Sequence, residues 1–236
     1  MFKTFETEFC GRPLVVETGK MAGLAGGSCL IRYGETEVLC TATMAAKPRE
    51  GVDFFPLSVD FEEKLYSVGR IPGSFQRREG KASEKATLSS RVIDRPIRPL
   101  FPKDMRNDVS VVATVMSVDP DCSPEIAALW GVSTAIAISN IPWDGPVSSV
   151  SLGLVDGKYV INPTLEERAK TEMRNHLDHK KHGAPFRRHT SYDMYPAFRP
   201  RDLPGGDGSR LGLHPVVTEI EHLAAVYLPH GNVVDP

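Results

Sequence analysis

The chain has 236 residues, of which 41% are hydrophobic and 25% charged, and its formal net charge at pH 7 is -2. This length and composition allow one large domain or two small ones around a real core. The near-zero charge excludes a globally basic nucleic-acid binder, so any polyanion must be bound by a local patch. The first residues lack the apolar run of a secretory signal, and no stretch is long enough to span a membrane.

The distribution of cysteine and histidine narrows the chemistry further. Cys10, Cys29, Cys40 and Cys122 show no CxxC spacing. We expect reduced, mostly buried thiols of a cytosolic protein rather than a zinc site or a disulfide frame. All seven histidines lie at or after residue 176, where prolines also cluster. This shift in composition predicts a boundary near residue 174.

The first 44 residues predict an antiparallel sheet. Gly34 and Glu35 form a turn between two apolar strands, as in a hairpin. The preceding glycine-rich link lacks the spacing of a phosphate-binding loop and leads into a strand instead of a helix, so we reject a nucleotide site there. The predicted strands cover residues 12–17, 29–33 and 37–44.

Residues 69–101 contain a cluster of basic residues, and they follow a strand predicted over residues 54–63. A loop that turns at Pro72 and Gly73 places an aromatic ring beside guanidinium groups. That combination suits a single-stranded polyanion, because the ring can stack on a base while the arginines bind phosphates. The alternative is an ordinary solvated loop. The candidate RNA-binding residues are Phe75, Gln76, Arg77 and Arg78.

A helix is predicted from the N-cap Ser83, with Glu84 in its first turn. Pro96 predicts that the helix ends near Asp94. One side of this helix is apolar, and three arginines fall together on the other side. Cations near a helix C-terminus are also favoured by the dipole alone, which is the alternative to a binding role. The candidate phosphate-path residues are Arg91, Arg95 and Arg98.

The remaining elements complete an α+β pattern with a mixed or mostly antiparallel sheet. Ser123, Pro124 and Glu125 start a helix so apolar that it must be largely buried, which makes Trp130 a core residue. Thr164 to Glu167 form a capping box that starts another helix. The other predicted elements are a strand over residues 109–119, the buried helix over residues 126–139, and a hairpin of residues 147–155 and 158–161 around Asp156 and Gly157.

Catalytic groups are scarce before residue 174. Without histidine there, a Ser-His or Cys-His nucleophile and a histidine metal site are excluded. The carboxylate pairs Asp119 with Asp121 and Glu62 with Glu63 are expected to solvate strand ends instead of binding magnesium. We therefore predict no catalytic residue and no metal ligand in this chain.

Two long segments carry a resemblance to a known family. They are TGKMAGLAGGSCLIRYGETEVLCTAT and VDFFPLSVDFEEKLYSVGRIPGSFQRREGKASEKATLSSRVIDRPIRPLFP, and GLVDGKYVINPTLEE extends the match. Together they resemble the first of the two RNase PH-like core domains of the bacterial polynucleotide phosphorylase family, over residues 1–173. The resemblance implies an RNase PH-like α+β domain, incomplete at its C-terminal end.

The resemblance also implies an activity, which is phosphate-dependent 3′-to-5′ degradation of single-stranded RNA with release of nucleoside diphosphates. It implies a cytoplasmic homotrimeric ring that acts in mRNA degradation, with inorganic phosphate as co-substrate, magnesium, and partners in an RNA-degradation complex. Residues 75–78 match the loop that grips RNA in the central pore. Many members carry a second aromatic or an aliphatic residue at Gln76. Arg95 and Arg98 match the family's DRPIRPLF arginines on the phosphate and RNA path.

The chain also departs from the family. The phosphate-binding serines, the magnesium ligands and the KH and OB-fold modules of the family lie beyond a first core, so we expect the chain alone to be inactive. After residue 173 no helix or strand period persists, apart from a short helix possible over residues 216–228. Residues 174–236 are an unassigned tail that we expect to be disordered.

One hypothesis for this tail is out-of-frame translation, which reading the coding DNA in its other frames would test. A divergent tail and a histidine metal-binding tract are the rival hypotheses. For the whole chain, the alternatives to an enzyme core are a non-catalytic RNA-binding module, or a fragment that never folds stably because its sheet lacks closing strands.

Overall fold

A computed structural model describes residues 2–73, 75–156, 158–171, 174–180 and 187–189, with side-chain surroundings through residue 171 except at residue 159. The helices are α1 (Glu84–Ile97), α2 (Pro124–Ala137) and α3 (Leu165–Lys170), and 3₁₀ turns cover Leu65–Val68 and Arg98–Leu100. The strands are β1 (Lys3–Phe9), β2 (Arg12–Thr18), β3 (Gly27–Tyr33), β4 (Thr36–Pro48), β5 (Leu57–Glu63), β6 (Asn107–Ser117), β7 (Val147–Val155), β8 (Lys158–Ile161), β9 (Arg174–Lys180) and β10 (Arg187–His189).

Six strands form a mixed sheet in the order β1-β2-β3-β4-β6-β5. The predicted β3–β4 hairpin is confirmed, with Tyr33 opposite Thr36. Strand β5 runs parallel to β6, with Leu57 opposite Val109, whereas every other pairing in this sheet is antiparallel. A parallel pair needs a crossover, and α1 supplies it. The predicted mixed α+β architecture is therefore confirmed.

Strand β1 was not predicted from the sequence. Its segment KTFETEF alternates between partly covered and exposed residues and pairs antiparallel with β2, with Phe9 opposite Arg12. It lies at the edge of the sheet, where one face and one side meet solvent. A half-covered edge strand needs few apolar residues, so its sequence gives a weak signal.

The second sheet has the order β10-β9-β7-β8. The predicted β7–β8 hairpin is confirmed. The expectation of no regular structure after residue 173 is wrong for two segments, because β9 pairs antiparallel with β7, and β10 pairs with β9. Strand pairing uses backbone groups, so an edge can be extended without an alternating apolar pattern. The short helix expected over residues 216–228 lies outside the described residues.

Helix α2 packs against the six-stranded sheet on one side and against β7 on another. This position explains why nearly every residue of the helix is buried, as its composition predicted. Trp130 is fully buried and donates from Nε1 to the carbonyl oxygen of Ser149 at 2.8 Å. Its ring lies edge-on to Phe9 and Tyr33, with centroids 5.4 and 5.1 Å away. Trp130 is a core residue, as predicted.

Helix α1 begins as predicted but ends later. Ser83 accepts a hydrogen bond from the backbone N–H of Ala86, so it is the N-cap. The helix does not end near Asp94 but continues through Pro96 to Ile97. Pro96 and Ile97 are buried in the core, and the N–H of Arg98 bonds to the carbonyl of Asp94. Burial of the last turn outweighs the one backbone hydrogen bond that Pro96 removes.

The starts of the other two helices differ from each other. Thr164 and Glu167 form the predicted capping box at α3. At α2, Ser123 occupies the N-cap position, but its hydroxyl donates to the Glu125 carboxylate at 2.5 Å and caps no backbone N–H. The hydrogen bond to Glu125 turns the Ser123 hydroxyl away from the backbone N–H groups at the helix end, so its oxygen accepts from none of them.

The thiols are free, as expected, with Cys10 exposed and the other three buried. Within the part of the chain that the structure describes, no helix has the length and apolar character needed to cross a bilayer.

Candidate nucleic-acid interface

The segment from residue 69 to residue 83, here called the basic loop, connects the 3₁₀ turn Leu65–Val68 to helix α1. Its chain reversal lies at Phe75 and Gln76 and not at Pro72 and Gly73 as expected from the sequence. Arg77 completes the reversal in a left-handed conformation with φ 48°, which is uncommon for a residue with a side chain. The left-handed residue of this turn is therefore Arg77 and not Gly73.

Phe75 is fully exposed, with a relative accessibility of 104%. Gln76, Arg77 and Arg78 are exposed beside it. The phenyl ring of Phe75 is in contact with water and is not packed against an apolar surface. Its face is available to stack on a planar group such as a nucleobase.

The base of the basic loop is held by side-chain contacts. The Glu79 carboxylate accepts a hydrogen bond from the backbone N–H of Leu65 at 2.7 Å and pairs with Lys64 at 3.4 Å. Ser83 donates to Glu63 at 2.9 Å at the other end of the loop. Sequence reasoning missed Glu79, because its partners lie 14 and 15 residues earlier and no local spacing marks them.

Arg91 and Arg95 lie one turn apart on α1 and line the same pocket of about 680 Å³, here called the arginine pocket. Both side chains are exposed, and neither makes an ion pair or hydrogen bond within the described part of the chain. The other walls include Leu65 and Val68 of the 3₁₀ turn, from which the basic loop leaves. Guanidinium groups that have no partner among the described residues keep their donors available for the oxygens of an anion.

Arg98 does not join the other two arginines. Its Nε donates to both oxygens of Asp94 at 3.0 and 2.9 Å. Its other nitrogens donate to the carbonyls of Phe55 at 3.4 Å and Leu57 at 3.1 Å. The expected cluster of three arginines is therefore wrong in this respect, because the chain at the start of β5 binds the third guanidinium.

The arginine pocket is also lined by a lysine that the sequence did not single out. Lys85 lies 3.2 Å from Glu125 and 3.5 Å from Glu63, and so connects three elements at the pocket wall. Burial opposes ionisation of Glu125, but the Lys85 ammonium and the Ser123 hydroxyl outweigh it and lower the pKa of Glu125. Burial likewise opposes the charge of Lys85, and Glu125 with Glu63 raises the pKa of Lys85. Lys85 thus offsets one of the two carboxylate charges, whereas Arg91 and Arg95 have no ionic partner among the described residues.

The carboxylate pairs singled out in the sequence are engaged with protein groups. Asp119 accepts from the backbone N–H groups of Asp121 at 2.9 Å and Glu35 at 3.3 Å. Burial acts to raise the pKa of Asp119, and these hydrogen bonds lower it overall. Asp121 accepts from the N–H of Leu165 at 2.7 Å. The sequence predicted only that these side chains solvate a strand end. In the structure both also bind backbone N–H groups of nearby turns.

Among the described residues, no group of three or more His, Cys, Asp or Glu side chains is placed to hold a metal ion. Magnesium prefers an oxygen-rich shell with one or two carboxylates free to bind it. The acids that line the arginine pocket already bind protein groups, Glu63 and Glu125 through Lys85 and Asp119 through two backbone N–H groups, so these residues do not fit the metal.

Two family models match the chain. The model of the 3′ exoribonuclease family, domain 1 (RNase PH), matches residues 11–142, and the model of domain 2 of that family matches residues 145–174. The first match contains the basic loop and every lining residue of the arginine pocket except Arg168. It covers more than half of the chain.

Individual relatives match over most of the chain. The polyribonucleotide nucleotidyltransferase of Ruminiclostridium cellulolyticum is 66% identical over 173 residues, which are 73% of this chain and 25% of that protein. The protein of the same name from Clostridioides difficile is 61% identical over 171 residues, 72% of this chain and 24% of that protein. The chain spans about a quarter of the length of these curated relatives.

A solved structure supports the fold independently. The crystal structure of rice (Oryza sativa) Rrp46 superposes with a TM-score of 0.64, over 95% of this chain and 92% of that one. The sequences are only 14% identical, so this likeness shows the shared fold alone.

Proposed function

The chain belongs to the RNase PH 3′ exoribonuclease family, and from this membership we propose that it is the RNA-guiding first core of a polyribonucleotide nucleotidyltransferase. In this proposal the chain binds single-stranded RNA and directs it, while the groups that cleave it lie outside this chain. The name and the high identity of the bacterial relatives support this assignment over residues 1–173.

The observation that carries the proposal is that Arg91 and Arg95 line the arginine pocket with no hydrogen-bond or ionic partner among the described residues. Each can form two parallel hydrogen bonds with the oxygens of one phosphate. Successive phosphates of a single strand could be bound in this way without any contact to a base edge, so the binding would not depend on sequence. Arg98 is given no RNA contact, since its donors are bound to the protein.

The basic loop adds a second kind of contact. We assign Phe75 to stacking on a base, and Arg77 with Arg78 to the neighbouring phosphates. Gln76 faces solvent beside Phe75 and adds a polar contact in place of a second ring. The loop leaves from the wall of the arginine pocket, so one strand of RNA can reach both surfaces.

The activity proposed for the complete protein is phosphorolysis from the 3′ end. An oxygen of inorganic phosphate attacks the phosphorus of the last phosphodiester, and the bond to the preceding nucleotide's 3′ oxygen breaks. That oxygen takes up a proton, and a nucleoside diphosphate leaves. The family resemblance supports magnesium, a homotrimeric ring, partners in an RNA-degradation complex and a role in cytoplasmic mRNA degradation.

We further propose the domain boundary at residue 174. Residues 1–173 then carry the family sequence of the first core. Residues 174–236 are foreign to that sequence, although β9 and β10 extend the second sheet, and we assign their origin to out-of-frame translation. The length of the match to the relatives supports this boundary, because it spans 173 residues. Recovery of a family continuation from another frame of the coding DNA is the expected result, and failure to find one in any frame contradicts the hypothesis.

Anisotropy of a fluorescein-labelled oligo(A) tests the RNA-binding part of the proposal. The double variant Arg91→Ala/Arg95→Ala should bind more weakly, and the slope of log K against log salt should fall by about 0.7 for each phosphate that is no longer bound. The control Lys47→Ala/Lys103→Ala removes the same charge from two exposed residues outside both surfaces. Wild-type affinity and slope in the first variant would contradict the proposed site.

Two further measurements complete the test. Phe75→Ala should weaken binding roughly tenfold, as expected for loss of one stacked base. Phe54→Ala, another exposed aromatic outside the basic loop, serves as its control. The purified chain should release no nucleoside diphosphate from poly(A) and phosphate, and release would refute the assignment of cleavage to groups outside the chain.

A further inference from the structure

The basic loop is attached to the core by two side-chain contacts near its ends. Glu63 and Ser83 form the outer contact, and Lys64 and Leu65 bind Glu79 at the inner one. Between them, the described residues from 71 to 77 make no hydrogen bond or ion pair with the rest of the protein. These two contacts therefore help to set the position of Phe75 relative to the core.

The two contacts differ in what else they do. Ser83 accepts from the Ala86 N–H at 2.9 Å and also caps α1, so the outer contact is part of the helix start. Glu79 has no such second task. One of its carboxylate oxygens accepts from Leu65, and the other pairs with Lys64.

Glu79 also connects the basic loop to the arginine pocket. Both of its partners, Lys64 and Leu65, line that pocket. Lys64 is held in place by Glu62 as well, at 2.7 Å, and hydrogen bonds to Glu62 raise the pKa of Lys64 against the effect of burial. The acceptor groups on both sides keep the ammonium charged beside Glu79.

We propose that Glu79 is a positioning residue that closes the base of the basic loop and fixes Phe75 relative to Arg91 and Arg95. It contacts neither RNA nor the reacting atoms. It acts by holding the loop in one position, so that less conformational entropy is lost when RNA binds. This inference rests on the proposed function, because it assigns a purpose to the position of Phe75.

Limited digestion with trypsin tests the contact itself without RNA. The readout is the rate of cleavage after Arg70, determined by mass spectrometry, because substitution of Glu79 leaves the residues flanking that bond unchanged. Glu79→Ala in the full chain should raise this rate roughly tenfold, the effect on local opening of losing one charged hydrogen bond. Glu79→Gln keeps an acceptor for Leu65 but loses the charge. Its rate of cleavage after Arg70 should lie between those of the unchanged chain and Glu79→Ala.

Glu50→Ala is the matched control, since Glu50 is an exposed acid without a hydrogen bond or ion pair among the described residues. It should leave cleavage after Arg70 unchanged. A general loss of stability would raise cleavage at every site and lower the melting temperature. A rise confined to the basic loop therefore supports the proposal, whereas an unchanged rate after Arg70 in Glu79→Ala overturns it.

Binding of labelled oligo(A) then separates this inference from the proposed function. Weaker binding by both Glu79→Ala and Phe75→Ala supports the positioning role. Weaker binding by Phe75→Ala alone, with Glu79→Ala at wild-type affinity, overturns that role and leaves the proposed function intact. Wild-type affinity in both variants overturns the proposed function of the loop and the positioning role with it.

Discussion

Nη2 of Arg98 lies 2.8 Å from Oδ1 of Asp94, one helical turn earlier on α1. The same guanidinium reaches two backbone carbonyls at the start of β5. Arg98 thus joins the end of the helix to the strand that precedes it. Arg95, three residues earlier in the same DRPIRPLF motif, makes no such contact within the part of the chain that the structure describes, and it lines the arginine pocket. Two arginines of one motif therefore have different tasks.

This difference predicts opposite phenotypes. Arg98→Ala should lower the free energy of unfolding by about 1.5 kcal/mol, since it removes a partly exposed ion pair and hydrogen bonds to two carbonyls. Arg95→Ala should change stability by less than about 0.5 kcal/mol but weaken RNA binding. Urea denaturation of both variants decides the point, and equal stabilities would show that the Arg98 contacts contribute nothing.

A conservative variant refines the same experiment. Arg98→Lys can keep the ion pair with Asp94 but loses the planar fork that reaches the carbonyls of Phe55 and Leu57. Its stability should fall between those of Arg98→Ala and the unchanged chain. A lysine variant as stable as the unchanged chain would mean that charge alone is needed at this position.

The ion pair between Lys85 and Glu125 predicts a dependence of stability on pH. The pKa of Glu125 is lowered in the folded state from its ordinary value of 4.5, so the unfolded state binds the proton more tightly. The stabilisation is therefore complete above pH 4.5 and is lost as the pH falls through the lowered pKa. Glu125→Gln should be less stable than the unchanged chain at pH 7 and should lose less stability on acidification.

Asp119 contributes in the same direction, because its pKa is also lowered. Glu125→Gln should thus keep part of the acid sensitivity, and Asp119→Asn on the same background should remove more of it. Melting temperatures measured from pH 7 to pH 3 provide the comparison. Parallel curves for Glu125→Gln and the unchanged chain would show that the Lys85 pair does not hold the carboxylate in its charged form.

The packing of α2 predicts a third effect, at Gly131. A Cβ atom there would lie 2.5 Å from Sγ of Cys40 and 3.0 Å from Cγ2 of Ile31. Gly131→Ala should therefore destabilise the protein by about 1–3 kcal/mol through overpacking, although alanine favours the helix. Gly23→Ala is the control, because its Cβ would have no atom within 4 Å.

A second substitution identifies the cause at Gly131. Cys40→Ala removes the sulfur and makes room for the new methyl group, so the double variant should be more stable than the sum of the two single changes implies. Chemical denaturation of the four proteins gives the coupling. If the two changes in the free energy of unfolding are additive, the contact with Cys40 does not cause the destabilisation by Gly131→Ala.

Most of the local structure could be predicted from the sequence. Ser83 and Thr164 cap their helices as their spacing indicated, and the hairpin turns at Gly34 and Asp156 lie where expected. These features depend on residues at most four apart, so the chain specifies them without a partner from elsewhere. Strand β1 was not predicted, because an edge strand that is only partly covered needs few apolar residues.

The candidate site could be predicted only in part. Phe75, Gln76, Arg77 and Arg78 do lie together on an exposed loop, but their function as RNA contacts is a proposal. Helical periodicity grouped Arg91 with Arg95 correctly and added Arg98 wrongly. A helical wheel gives the direction of a side chain and not the partner that it meets.

The sequence by itself determined the family, the helix starts, the hairpins and a buried α2, since each follows from neighbours in the chain or from apolar composition. Only the tertiary structure decided which charges stay unpaired. Arg98 is occupied by carbonyls 41 and 43 residues earlier, and Lys85 by Glu125, 40 residues later. Burial of Pro96 and Ile97 likewise extended α1 past a proline. Long-range contacts of this kind leave no pattern in the local sequence, because only folding brings the two partners together.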